Sequence, residues 1–312
     1  MAVPIELGVD EWDPLRTETQ CAYCENEITN ANRSREDYWP SWLQKKFPHQ
    51  KGERSLHFTQ STFTGSSETS RGMLGFRRKL KCVCNSCNNG FGSVVQEGAK
   101  EAIGRALSRS FRGLSWSQLD ALSKWATMFA MTFEFADYAT KAITQRTRMT
   151  FRETGEIPAN VQIWIGRYHG TGFQLNQQHL NSASTFWTGG IPVEKGAKGF
   201  VQLTEQLTTI GLGSVFLCVY SYEDLGWNTD SIRQPDRFKP PKKFAKRSIM
   251  SISPPRSSLL VKHLTPLNDS ELQELAISFL PPAQHSEVRK VTDRPDVPID
   301  FWRSWTSEKD WQ

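Results

Sequence analysis

Two cysteine pairs with metal-ligand spacing carry the most specific chemistry in this chain: Cys21-Ala22-Tyr23-Cys24 and Cys84-Asn85-Ser86-Cys87. One C-x₂-C pair supplies two thiolates to a tetrahedral ion, and two pairs complete a four-sulfur zinc site. Cys82 stands two residues before Cys84 and can compete as a ligand, but the spacing favours Cys84. The zinc expected here is structural. It closes the span from Glu25 to Val83, and in a unit with little core of its own, binding free energy becomes folding free energy. Four unrelated reduced cysteines are the alternative, and the repeated spacing argues against it.

Polar residues lie between and after the pairs: Ser34-Arg35-Glu36-Asp37-Tyr38-Trp39-Pro40-Ser41-Trp42-Leu43, then Cys87-Asn88-Asn89-Gly90-Phe91-Gly92-Ser93. Together these blocks resemble the HNH endonuclease superfamily. More narrowly, they resemble bacterial and phage HNH-like proteins pairing a "Thr-Arg-Glu-His-x-(Trp/Phe)-Pro-x-Trp-Leu" block with a "Cys-x-x-Cys-Asn-Asn-Gly-Trp" block. The resemblance spans residues 20–225, with firm motifs in 21–93. It implies an N-terminal zinc-stapled ββα-metal unit in which two strands and a helix start grip one divalent cation. It also implies cleavage of phosphodiester bonds in DNA. Glu36 falls on the family's acidic metal ligand, Asn88 on the ligand at the helix start, and Asp37 on the general-base histidine.

Asp37 is a departure from that pattern. Imidazole titrates near neutrality and can take up and release a proton there. A carboxylate ordinarily titrates near ~4 and is a weak base unless its surroundings raise it. Beside a cation Asp37 is expected to be ionised and to act as a further ligand. Glu36, Asp37 and Asn88 are all oxygen donors, which suits Mg²⁺ or Mn²⁺. His49 and His57 are the other conceivable bases, though neither matches a motif. A catalytically inactive copy that keeps the fold and binds nucleic acid or a protein is the second reading. The third is a zinc ribbon on an α+β body with no nucleic-acid role.

Cations cluster around this unit. Arg71, Arg77, Arg78, Lys79 and Lys81 precede the second cysteine pair, Arg33 and Arg35 open the first block, and Lys45-Lys46 follow it. Of these, Arg35, Arg77, Arg78, Lys79 and Lys81 are the candidate phosphate contacts, which give affinity without sequence choice. A solvated charged strand explains them equally well. Trp39 and Trp42 read as packing residues. A second basic stretch, Gln234 to Arg247, reads as an exposed loop that either extends a DNA track or simply aids solubility.

Bulk properties set the frame. The 312 residues suffice for two domains, and eleven Trp with eighteen Phe argue against global disorder. The net charge of +5 permits nucleic-acid binding without demanding it. No apolar run reaches the ~18 residues of a membrane span. Met1 to Pro14 is acidic and lacks a hydrophobic signal core, so secretion is not expected and reduced thiolates in a bacterial or phage cytoplasm are. A homo-oligomer or protein partner is compatible with the chain, as are mobile-element maintenance and anti-phage defence.

The elements that must position these residues divide the chain into 1–112, a HNH-like zinc-binding unit; 113–282, an α+β accessory, substrate or oligomerisation unit; and 283–312, a polar tail with three tryptophans. The fold class expected is α+β, the second unit being a helix followed by mainly antiparallel strands. Thr59 to Arg71 reads as a polar loop. Phe91 to Phe111 reads as a helix with Val94, Val95, Ala99, Ala102, Ile103 and Leu107 on one stripe. A buried helix is expected from Ser117, capped with Asp120 three residues on. Strands are expected at Val161–Tyr168, Ser184–Thr188, Phe200–Thr209, Ser214–Tyr222, Ser248–Ile252 and Ser258–His263, and a helix at Asp269–Leu280. Cys218 falls within an all-apolar strand and reads as a core thiol.

Overall fold

The computed structural model describes residues 20–34, 36–37, 39–46, 54–60, 67–74, 79–108, 113–136, 143–170, 177–186, 201–224, 240, 242–245, 247–253 and 261–278. The chain divides into two compact units. One combines Met1–Glu97 with Met128–Pro158, and the other Gly98–Thr127 with Ala159–Gln312.

In the first unit, strand β1 (Glu36–Asp37) is followed by helix α1 (Ser41–Lys46) and the antiparallel strands β2 (Arg54–Gln60) and β3 (Ser67–Leu74). Strand β4 (Lys79–Leu80) then returns to β1, pairing Glu36 with Leu80 and Asp37 with Lys79. A helical run comes next: α2 (Asn85–Cys87), a π-helical turn at Asn88–Gly92, and α3 (Ser93–Ala106). Gly90 and Gly92 fall in the π turn, where their weak helix propensity lowers resistance to a widened backbone. The long helix α4 (Trp116–Phe133) ends in this unit, and α5 (Gln145–Thr154) closes it. Thr144 caps α5 by accepting from the Thr147 amide, and Gly155 ends it at φ 67, a left-handed conformation glycine adopts without strain.

Aromatic side chains form the core of this unit. Trp39 is fully buried, edge-on to Phe129 with centroids 5.0 Å apart. Phe91 meets Phe151 edge-on at 5.1 Å and Tyr23 at 5.5 Å. Such pairs add stabilisation beyond their buried area. A buried ion pair joins Glu134 and Arg148, whose guanidinium also lies 4.8 Å from the centre of the Phe135 ring. The second oxygen of Glu134 accepts from the Ile143 amide at 3.1 Å, so this desolvated carboxylate is well supplied with donors.

The second unit is built on a five-stranded antiparallel sheet in the order β6-β7-β8-β5-β9. Its strands are β5 (Val161–Arg167), β6 (Gln177–Phe186), β7 (Val201–Leu212), β8 (Val215–Asp224) and β9 (Ile249–Ser253). Both faces of its centre are buried. Trp164, Tyr168, Leu207, Phe216, Cys218 and Tyr220 pack with Phe244 of α6 (Lys242–Ala245) and with Leu272 and Leu275 of α7 (Asp269–Ser278). The opposite face carries Val161, Ile163, Ile165, Leu217 and Val219, with Gln206 donating to the Ser221 hydroxyl at 3.3 Å. Gly213 makes the β7–β8 turn at φ 59. There the Ser214 amide and hydroxyl donate to the carbonyls of Ala106 and Ser108 at the end of α3, which the helix itself leaves unpaired.

Helices with an antiparallel sheet make the fold α+β, as expected. Helix α4 is buried nearly all round from Leu122 to Phe133, as expected, while its first turn is partly exposed. Cys218 lies fully buried in β8, where burial pushes its thiol up to about 12, consistent with an inert core residue. Several expectations are corrected. Thr59 and Gln60 belong to β2 and Ser67 to Arg71 to β3, so the segment is in part a strand hairpin rather than a loop, residues 61–66 lying outside the described ones. Val261–His263 is a 3₁₀ turn, not strand. Ser115 with Gln118 caps α4, each bonding the other's amide, while Asp120 pairs with Lys124. Val94 is 73% exposed. It lies five residues before Ala99, out of phase with the buried Ala99, Ala102, Ile103 and Ala106. The tail from 283 lies outside the described residues.

Candidate metal centre

The first cysteine pair sits in a tight reversal of chain. The Cys21 amide donates to the Asn26 carbonyl at 3.0 Å, and Gln20 bridges to Glu27. The second pair sits at the start of the helical run, with Cys84 as the extended N-cap residue and Cys87 in the first turn. The thiolates there lie near the positive end of the peptide dipoles. Two backbone clamps bring the pairs together. The Ala22 amide donates to the Cys82 carbonyl at 2.7 Å, and Arg33 bridges to Cys84.

The result is a compact sulfur cluster. All four Sγ atoms of Cys21, Cys24, Cys84 and Cys87 lie within 4.8 Å of one another, and all four residues are buried. Cys24 Sγ and Cys84 Sγ are 3.7 Å apart. A regular tetrahedron with metal–sulfur bonds of about 2.3 Å has an edge of about 3.8 Å, so this spacing fits a shared ion. It is far beyond the ~2.05 Å of a disulfide. The set can therefore hold a metal ion such as zinc. Cys82 is buried but stands outside the cluster, so the x₂ spacing chose the right partner.

The surroundings favour bound thiolate. Cys21 Sγ accepts from the amides of Cys84 at 3.3 Å and Tyr23 at 3.5 Å, and Ser86 Oγ lies 3.2 Å from Cys84 Sγ. The Cys87 thiol, aided by those amides, holds Cys21 down to about 5 against the opposing effect of burial. Burial pushes Cys24 up to about 11. Cys87 is raised too, first by its hydrogen bond to Cys21 and then by burial. Four thiols in one small pocket cannot all ionise without a cation, which reverses this order by stabilising every thiolate.

The cluster is anchored to the rest of its unit. The Tyr23 hydroxyl lies 2.9 Å from the Met128 carbonyl and 2.8 Å from Thr132 Oγ1, both on α4. Gln145 Nε2, at the start of α5, donates to the carbonyls of Cys21 at 2.7 Å and Cys24 at 3.1 Å. Sequence patterns gave no sign of Gln145, whose partners are more than a hundred residues away.

No protein-family model matches the chain, and neither a curated protein nor a solved structure matches it. The site is therefore read from its own residues.

Of the oxygen donors, Asn88 is the best defined. It opens the π turn, and its Nδ2 donates at 2.6 Å to the hydroxyl of buried Ser34, two residues before Glu36. The Ser34 amide is in turn fixed to the Val83 carbonyl at 3.0 Å. With Nδ2 committed, Oδ1 is the amide's acceptor. It lies 3.6 Å from where a side chain at Gly92 would begin, an ordinary contact distance. Glu36 and Asp37 are placed by backbone alone, as neighbours on β1. Lys79 is on β4, Lys81 is exposed just after it, and His57 is on β2 opposite Ser70. Arg35, Arg77, Arg78 and His49 lie outside the described residues. Among the described residues, the four cysteines are the one group of His, Cys, Asp and Glu close enough to share an ion. No helix among them is long and apolar enough to cross a membrane.

Proposed function

We propose that this chain is a metal-dependent endonuclease of HNH type that hydrolyses DNA, with zinc on Cys21, Cys24, Cys84 and Cys87 as a structural staple. The observation that carries this reading is an order of elements. A strand bearing Glu36 and Asp37 pairs antiparallel with β4, and the chain passes through the second cysteine pair into a helix with Asn88 near its start. This order of elements supports a ββα-metal reading. A π turn at Asn88 adds support, because such turns inside helices recur at functional sites.

In this reading Glu36 and Asn88 hold Mg²⁺ or Mn²⁺ through oxygen. Such a cation supplies Lewis-acid stabilisation to the phosphate and lowers the pKa of water. Asp37, the neighbour of Glu36 on β1, is the proposed further ligand and stands at the family's base position. Arg35, Arg77, Arg78, Lys79 and Lys81 are the proposed phosphate contacts, and a bacterial or phage cytoplasm is the proposed setting.

Asp37 itself favours a second reading: a zinc-stabilised module that binds nucleic acid or protein without turnover. Purified protein incubated with plasmid, single-stranded DNA and RNA, with Mg²⁺ or Mn²⁺, separates the two. Cleavage that a Glu36→Ala/Asn88→Ala variant loses supports the enzyme, and cleavage no greater than the variant's refutes it. Activity gained in Asp37→His identifies a competent site that lacks its base.

A further inference from the structure

The second unit carries a cationic surface that the sequence scatters over almost a hundred residues. Lys242 and Lys243 on α6, Arg247 just after it and Lys262 on the 3₁₀ turn Val261–His263 are all exposed. Hydrogen bonds gather these segments at one end of the sheet. The Arg247 amide donates to the Phe244 carbonyl at 3.3 Å, and the Arg247 carbonyl accepts from Thr265 at 2.7 Å. Arg167, the last residue of β5, donates from Nη1 to the Lys262 carbonyl at 3.3 Å, and its own carbonyl accepts from Leu267 at 2.9 Å. Gly166, its neighbour, pairs with Ile249 at the start of β9. Cations from β5, α6, the segment just before β9 and the 3₁₀ turn are therefore gathered at one end of the sheet.

Little neutralises it. Lys243 pairs with Glu274, but among the described residues no ion pair reaches Lys242, Arg247 or Lys262. Arg167 is half-buried and positions Lys262 through its Nη1 bond rather than offering its buried Nε to solvent.

We infer that this surface binds the phosphate backbone of duplex nucleic acid, through Lys242, Arg247 and Lys262. Several unpaired cations on separate elements suit a ligand with regularly repeated charge. Membrane insertion and protein hot spots commonly add large apolar side chains to such a patch, and the vesicle arm of the test separates a purely electrostatic membrane contact. The two exposed large apolar residues among the described ones, Val94 and Trp116, belong to other segments. The surface reads phosphates, so it contributes affinity without sequence preference. It does not depend on cleavage.

The test uses the full chain, without added divalent cation, and a fluorescent mixed-sequence DNA duplex, with anisotropy followed across a salt series. Arg247→Glu/Lys262→Glu is expected to weaken binding by about tenfold or more at 100 mM salt. It should also flatten the slope of log K against log salt by about two, one unit per lost phosphate contact. Arg247→Lys should restore most of the affinity of a variant lost at that position alone. Lys262→Gln, which changes one exposed side chain, gives a second reading if the double variant folds poorly, with a slope change of about one. Unchanged affinity and slope in well-folded variants, or no DNA binding by the wild-type chain, overturns the inference. So does a loss confined to co-sedimentation with phosphatidylserine vesicles. A chain that binds DNA through this surface but never cleaves it sinks the nuclease reading and leaves this one standing.

Discussion

The Tyr23 hydroxyl links the sulfur cluster to α4, and its removal has a size that the geometry sets. It has one proton, so it donates to the Met128 carbonyl at 2.9 Å and accepts from Thr132 Oγ1 at 2.8 Å. Tyr23→Phe keeps the ring against Phe91 and deletes both bonds in a site only 2% exposed. Each buried hydrogen bond is worth about 1 kcal/mol net, and an orphaned partner costs about 1–3 kcal/mol more. Here the orphan has an escape. Met128 is four residues before Thr132, so the threonine can turn back onto the same carbonyl, as Ser123 and Thr127 already do on Leu119 and Ser123. The expected loss is therefore about 1.5 kcal/mol, a fall of about 3–6 °C in Tm for a cooperative unit of this size. Zinc content should not change. Adding Thr132→Val should cost less on the Tyr23→Phe background than alone, because the two hydroxyls share one bond. Thermal unfolding with zinc analysis decides. A Tm within 1 °C of wild type refutes the anchor, and loss of zinc shows that the hydroxyl acts through the metal site instead.

Zinc binding should release the protons that Cys24 and Cys87 hold in the metal-free protein, since burial and neighbouring thiols raise both. Zinc-linked stability is then present at neutral and alkaline pH and lost as pH falls. Calorimetry in buffers of different ionisation enthalpy measures the release, and none at pH 7 contradicts the four-thiolate assignment. Gly166→Ala should destabilise the sheet by about 3 kcal/mol. Its new methyl would sit 2.3 Å from the Phe216 ring and 2.7 Å from the Ser248 carbonyl, and a urea midpoint within error of wild type would contradict that packing. Ser34→Ala frees the Asn88 amide. If Asn88 binds the catalytic cation, cleavage at limiting Mg²⁺ should drop about 10–100-fold and recover as Mg²⁺ is raised. An equal loss at all Mg²⁺ concentrations assigns Ser34 to folding instead.

The sequence made the sulfur cluster legible because ligand spacing is a local property: two residues fit one edge of a tetrahedron wherever the pair occurs. The central strands of the sheet and the buried α4 were equally readable from unbroken apolar runs. What stayed hidden has physical causes. Strands β1 and β4 are two residues each, too short to show a period, yet they carry Glu36, Asp37 and Lys79. Helix α5 (QRTRMTFRET) buries little beyond Phe151 and Arg148, so no apolar stripe announces it. The Glu134–Arg148 pair, the Gln145 clasp on two backbone carbonyls and the Ser34–Asn88 bond are polar contacts across distances that no pattern rule covers. The π turn follows from a backbone adjustment around two glycines, which propensity alone reads as a weak helix.

Cys24 and Cys84 are sixty residues apart in sequence and 3.7 Å apart in space. An ion that joins them removes about 4 kcal/mol of chain entropy from the unfolded state, by the same polymer argument as any covalent crosslink. That entropy grows only with the logarithm of length, so doubling the enclosed segment would change the balance by about 0.6 kcal/mol. The hairpin β2–β3 lies inside this loop. Evolution can therefore lengthen, shorten or exchange the hairpin at almost no thermodynamic cost, provided β1 and β4 still meet. The crosslink turns the enclosed segment into a cassette, in which new recognition elements can be tried without unfolding the unit that carries them.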